Sequence, residues 1–493
     1  MIAEHLPALQ VVVPLIAAPL AVLARHAGLA WVLAMASALS SLGVSLALLS
    51  RVIGGGYISY ALGSWAPPWG IEYRVDAANA FVLVLVSLIA VFVVPYARRS
   101  VEIEVPREQH YLFYAMLCLC LAGLLGMAIT GDAFNFFVFL EISSLATYVL
   151  VALGRDRRAL VAAYQYLILG TVGATFIVIG VGLLYITTGT LNMVDIAQRL
   201  PEDAGHRPVL AALAFLTVGI CLKLALFPLH AWLPNAYAYA PSAVAALLAG
   251  TATKVSIYAL LRFYFTVFGQ RTVVDSLPME EILLVLSVAA MFIASAIAVF
   301  QNDLKRMLAY SSVGQIGYIT LGISFASQTG LTAAVAHLFN HGITKATLFM
   351  LVGGIAARAG SVSFDRLAGI AQRMPLTCAG IVLGGMSLVG VPSTAGFVTK
   401  WYLVIAAVER DAWVIAMLPV ASSLIALAYM YRFVEVAYLR QPGPALADVR
   451  EAPAAMLVPA LGLAALVVAS GVYSTPVVDG AAAAARALLE GVR

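Results

Sequence analysis

Seven ionisable side chains stand inside stretches otherwise apolar enough for a membrane: Glu141, Lys223, Lys254, His337, His341, Lys345 and Lys400. A lysine at the centre of a bilayer-spanning helix costs about 2.5–3.5 kcal/mol on insertion scales, so an unpartnered one is a liability. Burial and a nearby carboxylate pull a lysine's proton affinity in opposite senses, and moving Glu141 toward or away from Lys223 would switch the charge on the lysine. Histidine, with an ordinary pKa of about 6.5, accepts and releases protons near neutrality. His337, His341 and Lys345 recur at i, i+4 and i+8, which places all three on one helix face. Together these residues suit a lateral proton relay running from Glu141 through Lys223 and Lys254, across the histidines to Lys345, and out by Lys400. Plainer readings stand beside it. Glu141 and a lysine could form a structural ion pair, the histidines could be interhelical packing groups, and Arg262 and Arg432 could reach a lipid headgroup from helix ends. Asp132 reads as a helix N-cap, and Asp303, Lys305 and Arg306 as a solvated turn.

The elements that position these groups are interrupted helices. Leu222 to Pro234 reads Leu-Lys-Leu-Ala-Leu-Phe-Pro-Leu-His-Ala-Trp-Leu-Pro. Pro228 lacks an amide donor and should free the carbonyl of Leu224 beside Lys223, with His230 placed to gate the break. A second interruption is expected at Pro392, within Val389-Gly390-Val391-Pro392-Ser393-Thr394-Ala395-Gly396-Phe397, ahead of Lys400.

Of the 493 residues, 63% are hydrophobic and 11% charged, which excludes an ordinary soluble domain. The net charge of +4 gives no reason to expect nucleic acid as a partner. Glu4 and His5 precede the first apolar run, which reads as a retained helix rather than a cleaved signal. Cys118, Cys120, Cys221 and Cys378 lie in apolar runs without zinc or iron–sulfur spacing, so neither metal nor cofactor nor a catalytic centre is expected.

Runs of about 20 apolar residues give an all-α polytopic membrane protein with fourteen predicted spans: 7–24, 29–50, 77–97, 110–129, 133–153, 159–187, 208–235, 241–268, 280–300, 307–326, 330–357, 376–406, 412–438 and 454–473. Basic residues concentrate in the loops that would be cytoplasmic if both termini lie on the outer face of the cell membrane. The outer loop 51–76, rich in glycine and aromatic residues, suggests short strands or a hairpin, and the alanine-rich stretch after Asp479 a short surface helix. Residues 1–109 form an amino-terminal three-helix segment. Two five-helix units, 110–268 and 280–438, each have an interrupted fourth helix and a lysine near the break, a pattern typical of inverted repeats. Residues 439–493 supply a final helix and tail.

These motifs resemble those of the antiporter-like proton-translocating subunits shared by respiratory complex I, Mrp-type sodium/proton antiporters and membrane-bound hydrogenases. Lys223 to Pro234 with Tyr237-Ala238-Tyr239-Ala240-Pro241-Ser242 and Lys254, Phe139-Leu140-Glu141, His337-Leu338-Phe339-Asn340-His341 with Lys345, and Gly390 to Phe397 with Lys400 carry the likeness across roughly residues 75 to 440. It implies a fourteen-helix fold with inverted five-helix repeats. It also makes Glu141, Lys223, Lys254 and Lys400 the central relay, with His337, His341 and Lys345 between the halves. Lys400 stands where the M-type subunits of complex I carry glutamate, and Ser393 where a second proline is common. The L-type and large Mrp A-type subunits are longer.

The sequence therefore leads to the expectation of a protein like the D-type subunit of an Mrp multisubunit sodium/proton antiporter. Its partners would be other membrane subunits, lipid and protons, with sodium left open. An N-type complex I or hydrogenase subunit is the alternative, and a stand-alone transporter of an organic solute or a structural scaffold are readings of other classes.

Overall fold

In a computed structural model the protein is described over residues 2–200, 206–269 and 278–490. Residues 1, 201–205, 270–277 and 491–493, which include the ends of the expected segments, lie outside the described residues. Helices α1 (Leu6–Ala24) and α2 (Ala27–Val52) are followed by a hairpin of β1 (Ile58–Ala61) and β2 (Glu72–Val75), antiparallel with Ile58 opposite Val75. The hairpin expected in the 51–76 loop is thus present. It is tied down by Glu72, whose carboxylate accepts from Ser59 Oγ at 2.5 Å and Asn192 Nδ2 at 2.8 Å.

Next come α3 (Ala77–Glu104), α4 (His110–Ile129), α5 (Ala133–Ala152), α6 (Arg157–Thr188), α7 (Met193–Arg199) and α8 (Arg207–Leu224). Then follow α9 (Leu233–Tyr239), α10 (Ser242–Gly250), α11 (Ala252–Leu261), α12 (Met279–Ala289), α13 (Ser295–Val299) and α14 (Leu304–Ser324). The last set is α15 (Gln328–Ala359), α16 (Pro375–Val389), α17 (Ala395–Val408), α18 (Trp413–Val434), α19 (Ala454–Val472) and α20 (Thr475–Leu489). Single-turn π segments extend α11 over Arg262–Val267, join α12 to α13 over Ala290–Ala294, and extend α18 over Glu435–Leu439.

Side chains start several of these helices where the sequence reading placed their ends. Asp76 and Asn79 form a reciprocal capping box on α3. Asp132 accepts from the Asn135 amide at 2.7 Å, the expected N-cap of α5, and Asp303 caps α14 through the Arg306 amide at 2.9 Å. Asp303 is half-buried, and the lost hydration pushes its carboxyl up against the opposing pull of that amide and of Lys305.

Twelve helices among the described residues are long and apolar enough to cross a membrane, against fourteen expected. The other two expected spans differ for physical reasons. Ser311, Ser312, Gln315 and Thr320 dilute the apolar character of α14, and 376–406 is divided into the shorter helices α16 and α17. The chain is multi-pass, with α3, α4, α10, α11, α14 and α15 the most enclosed elements.

The carboxy-terminal stretch is a helix as expected, but not a loose surface one. α20 buries Val477, Ala481, Ala484, Ala485 and Leu488 against α3 and α15, and its Ala482 carbonyl accepts from Gln328 Nε2 at 3.0 Å. α6 and α8 approach backbone to backbone. A Cβ on Gly219 would lie 2.7 Å from the carbonyl oxygen of Gly173 and from Ile177 Cγ1. Gly219→Ala is therefore expected to force the two helices apart and destabilise the protein by about 1–3 kcal/mol, lowering the thermal unfolding midpoint in detergent. Gly182→Ala on α6, where nothing lies within 4 Å, should leave it unchanged.

Candidate functional site: a buried lysine and histidine axis

Lys223 occupies the last turn of α8. The helix stops at Leu224 because Ala225 takes a left-handed conformation (φ 59°), ahead of the point where the fixed ring of Pro228 would have ended it. The break thus opens earlier than the proline alone suggests. The captured carbonyl is that of Leu222, which accepts from Trp232 Nε1 at 2.9 Å. Trp232 is itself fixed by stacking on Tyr166, 4.0 Å between ring centres. His230 and Pro228 lie in the break, at its partly exposed side, and His230 stacks on Phe227 with its Nδ1 buried and without a hydrogen-bond partner.

The ammonium of Lys223 donates to Ser144 Oγ at 2.9 Å and to the Tyr148 hydroxyl at 3.4 Å. Glu141 Oε1 is 3.9 Å away, within ion-pair range but beyond a hydrogen bond, and this buried oxygen has no hydrogen-bond partner among the described residues. Glu141, Ser144 and Tyr148 share one face of α5. The lysine can therefore rest on neutral oxygens while the carboxylate stands off, an arrangement in which a small movement makes or breaks the ion pair.

A second interruption, missed in the sequence, separates α10 from α11 at Thr251, whose backbone (φ −122°, ψ −55°) leaves the helical path. Lys254 is wholly buried just beyond it and donates to the Ala249 carbonyl and to Thr253 Oγ1. Gly250-Thr251 was the available signal, but neither residue alone announces a break. Across from it the backbone of α15 comes so near that a Cβ on Gly342 would lie 2.9 Å from the Gly250 carbonyl oxygen.

α15 carries His337, His341 and Lys345, all buried, as the spacing predicted. The two imidazoles are stacked 5.9 Å apart. His337 bonds Thr399 Oγ1 at 2.6 Å and Gln315 Oε1 at 3.0 Å, whereas neither nitrogen of His341 has a partner among the described residues. Lys345 donates to the Leu308 carbonyl at 2.8 Å and to Ser311 Oγ, both on α14.

Lys400 on α17 donates to the carbonyls of Leu388 (2.8 Å) and Val389 (3.0 Å) and to Ser423 Oγ (2.8 Å), over the ring of Tyr318. Those carbonyls are free because α16 ends at Val389, with Gly390 left-handed (φ 88°) and Pro392 exposed in the gap. α15 pins this break too, through Asn340 Nδ2 to the Ala395 carbonyl at 2.9 Å. Gln315 Nε2 also donates to Leu388 O, at 3.3 Å, so His337 and Lys400 are joined through one amide. The expected order placed Lys345 next to Lys400. The contacts instead put His337 there, while Lys345 of α15 is bound to α14.

Three basic groups differ from expectation. Lys305 is buried, not solvated, and donates to Ser242 Oγ at 3.1 Å, the same hydroxyl that donates to Glu104. Arg262 and Arg432 do not reach for lipid. The first forms a buried bidentate pair with Asp76, and the second binds the carbonyls of Val299 and Gln301. The four cysteines are free and buried, and no cluster of His, Cys, Asp or Glu among the described residues could hold a metal.

Set beside known proteins, residues 130–426 match the sequence family described as NADH:quinone oxidoreductase/Mrp antiporter, TM. The chain belongs to that family. It is 42% identical over 491 residues to the N subunit of NADH-quinone oxidoreductase from Desulforudis audaxviator, covering 96% of this chain and 97% of that one. It is 31% identical over 477 residues to the D subunit of the Na(+)/H(+) antiporter from Alkalihalophilus pseudofirmus, covering 96% and 95%. A chain of the Mrp complex from Dietzia sp. DQ12-45-1b superposes with a TM-score of 0.91 at 28% identity over 99% of this chain and 98% of that one. The protein is thus an ion-translocating membrane subunit of the antiporter and complex I type.

Gly390 tests the built geometry of the second break. A Cβ there would be strained by the positive φ, at about 1–2 kcal/mol, and would lie 2.9 Å from Lys400 Cδ. Gly390→Ala is expected to slow ion transport in vesicles several-fold per assembled complex by displacing Lys400.

Proposed function

We propose that this chain is the proton-translocating N-type subunit of a membrane complex of the NADH-quinone oxidoreductase class, moving protons along the buried axis from Glu141 to Lys400. The observation that favours this assignment is 42% identity to an N-type oxidoreductase subunit against 31% to a D-type antiporter subunit, each over nearly the whole chain. It therefore replaces the D-type Mrp expectation as first reading. The D-type reading stays second, supported by the close superposition on a chain of an Mrp complex.

In the proposed relay, approach of Glu141 to Lys223 fixes the charge on that lysine and its retreat releases a proton toward Lys254. His341, with both nitrogens unpartnered and buried, passes it on through water, which is what ordinarily satisfies such groups. His337 delivers to Lys400 by way of Gln315 or Thr399. Lys345 tunes the middle of the axis by its charge, and His230, Pro228 and Pro392 let the two breaks move. Fourteen crossings arise if α14 and the α16–α17 pair each count as one. We assign 110–268 and 280–438 as inverted five-helix units, the termini and hairpin to the outer face, and 1–109 and 439–493 as flanking segments.

Two measurements test this. Purified through a tag on this chain, the complex should bring iron–sulfur and flavin subunits with it; small antiporter subunits in their place would move the assignment to the Mrp class. In vesicles, Lys223→Ala and Lys400→Ala should each cut driven proton transport by about tenfold or more, and normal transport in both would remove the axis from the mechanism.

A further inference from the structure

Two arginines outside the relay occupy matching places at opposite ends of the molecule. Arg262 begins the π segment that extends α11, eight residues and so about 12 Å beyond Lys254. Arg432 lies just before the π segment that extends α18, nine residues and so about 14 Å beyond Ser423, the partner of Lys400. Their surroundings place them on opposite faces. Arg262 meets Asp76 at the amino end of α3. Arg432 meets the segment Val299–Asn302, which leads directly into Lys305 and so to Ser242 and Glu104 at the carboxy end of α3.

Neither site can hand on a proton. A guanidinium is charged at all accessible pH values and donates only. Arg262 has its donors committed to both Asp76 oxygens (2.7 and 2.8 Å), Thr266 Oγ1 (3.2 Å) and the Tyr258 hydroxyl (3.0 Å). Asp76 Oδ1 also accepts the amides of Ala78 and Asn79, so the carboxylate is occupied from all sides. Beyond the pair lies a cavity of about 510 Å³ that reaches exposed Gly55, Arg486 and Glu490. Among the described residues half-buried Arg432 hydrogen-bonds neutral oxygens, those of Val299, Gln301 and Asn302 (2.7 to 2.8 Å), with its guanidinium over the ring of Phe364.

We propose that Arg262, clamped by Asp76, closes the way from Lys254 to the hairpin face, and that Arg432 closes the way from Lys400 to the opposite face. Each half of the axis then opens on one side only. On the face away from Arg262, Glu104, Asp303 and Lys305 line a surface cavity of about 320 Å³, and on the face away from Arg432, Glu280, Glu281 and Arg410 line one of about 230 Å³; these are the sides left to Lys254 and Lys400 in this proposal. A proton must consequently travel along the axis to cross the membrane, because a fixed positive charge blocks the short way. This inference rests on the proton-axis reading above.

The test is passive leak. The intact complex is reconstituted in vesicles, a potassium diffusion potential is imposed without any driving substrate, and internal acidification is followed with a pH-sensitive dye. Asp76→Asn combined with Arg262→Gln removes both charges without stranding either one, and should raise the leak several-fold. Arg262→Lys keeps the charge and should stay as tight as the wild type. Arg432→Gln, which leaves no carboxylate unpaired, should leak as well and carries the test if the double variant fails to assemble. Wild-type tightness in the assembled neutral variants would overturn the proposal. So would equal leak in Arg262→Lys, since packing rather than charge would then be what matters. Because no driven transport is measured, failure of the seals is distinct from failure of the axis, which shows in Lys223→Ala.

Discussion

In hydrocarbon a buried charge can be kept only where polar atoms are supplied to meet it. This protein supplies them largely from its own backbone. Lys254 rests on Ala249, Lys345 on Leu308, and Lys400 on Leu388 and Val389. Carbonyls solvate an ammonium without the full countercharge that a carboxylate would impose. Where a carboxylate is present, Glu141 stands 3.9 Å from Lys223, too far for a hydrogen bond. The contrast with Arg262 and Asp76, locked at 2.7 Å, separates groups placed to change from groups placed to stay.

The interruptions and the chemistry are therefore one feature. A continuous helix spends each carbonyl on its own ladder, so the breaks at Thr251 and after Val389 free the carbonyls that meet Lys254 and Lys400, whereas Lys223 rests on the side chains of α5 and Lys345 on Leu308 and Ser311 of the continuous α14. α15 coordinates both breaks. Gly342 abuts the α10–α11 break, Asn340 binds across the α16–α17 break, and the histidines lie between. A rigid 32-residue helix that touches both breaks gives movement at one a mechanical path to the other.

The charged residues of the axis, the breaks at Pro228 and Pro392, the hairpin and the cap Asp132 were legible in the sequence because each is an exception in an apolar background, whereas Asp303, read as part of a solvated turn, proves to be a cap. What escaped notice was neutral or distant. Ser144, Tyr148, Thr399 and Ser423 complete the lysine and histidine contacts, yet a lone hydroxyl in a membrane helix is commonplace. The Thr251 break lacks a proline. Asp76 and Arg262 are 186 residues apart, and only the fold shows that they meet. Lys305 looked like part of a wet turn because its partner, Ser242, lies across the bundle.

The clasp formed by α20 has a consequence for biogenesis. This helix is made after every other described helix, yet it packs on α3, far upstream of it in the chain, and on α15. Helices inserted early must wait until α20 has been made before their ends are covered. A ribosome stalled ahead of Thr475 would leave an unfinished bundle for quality-control proteases to find.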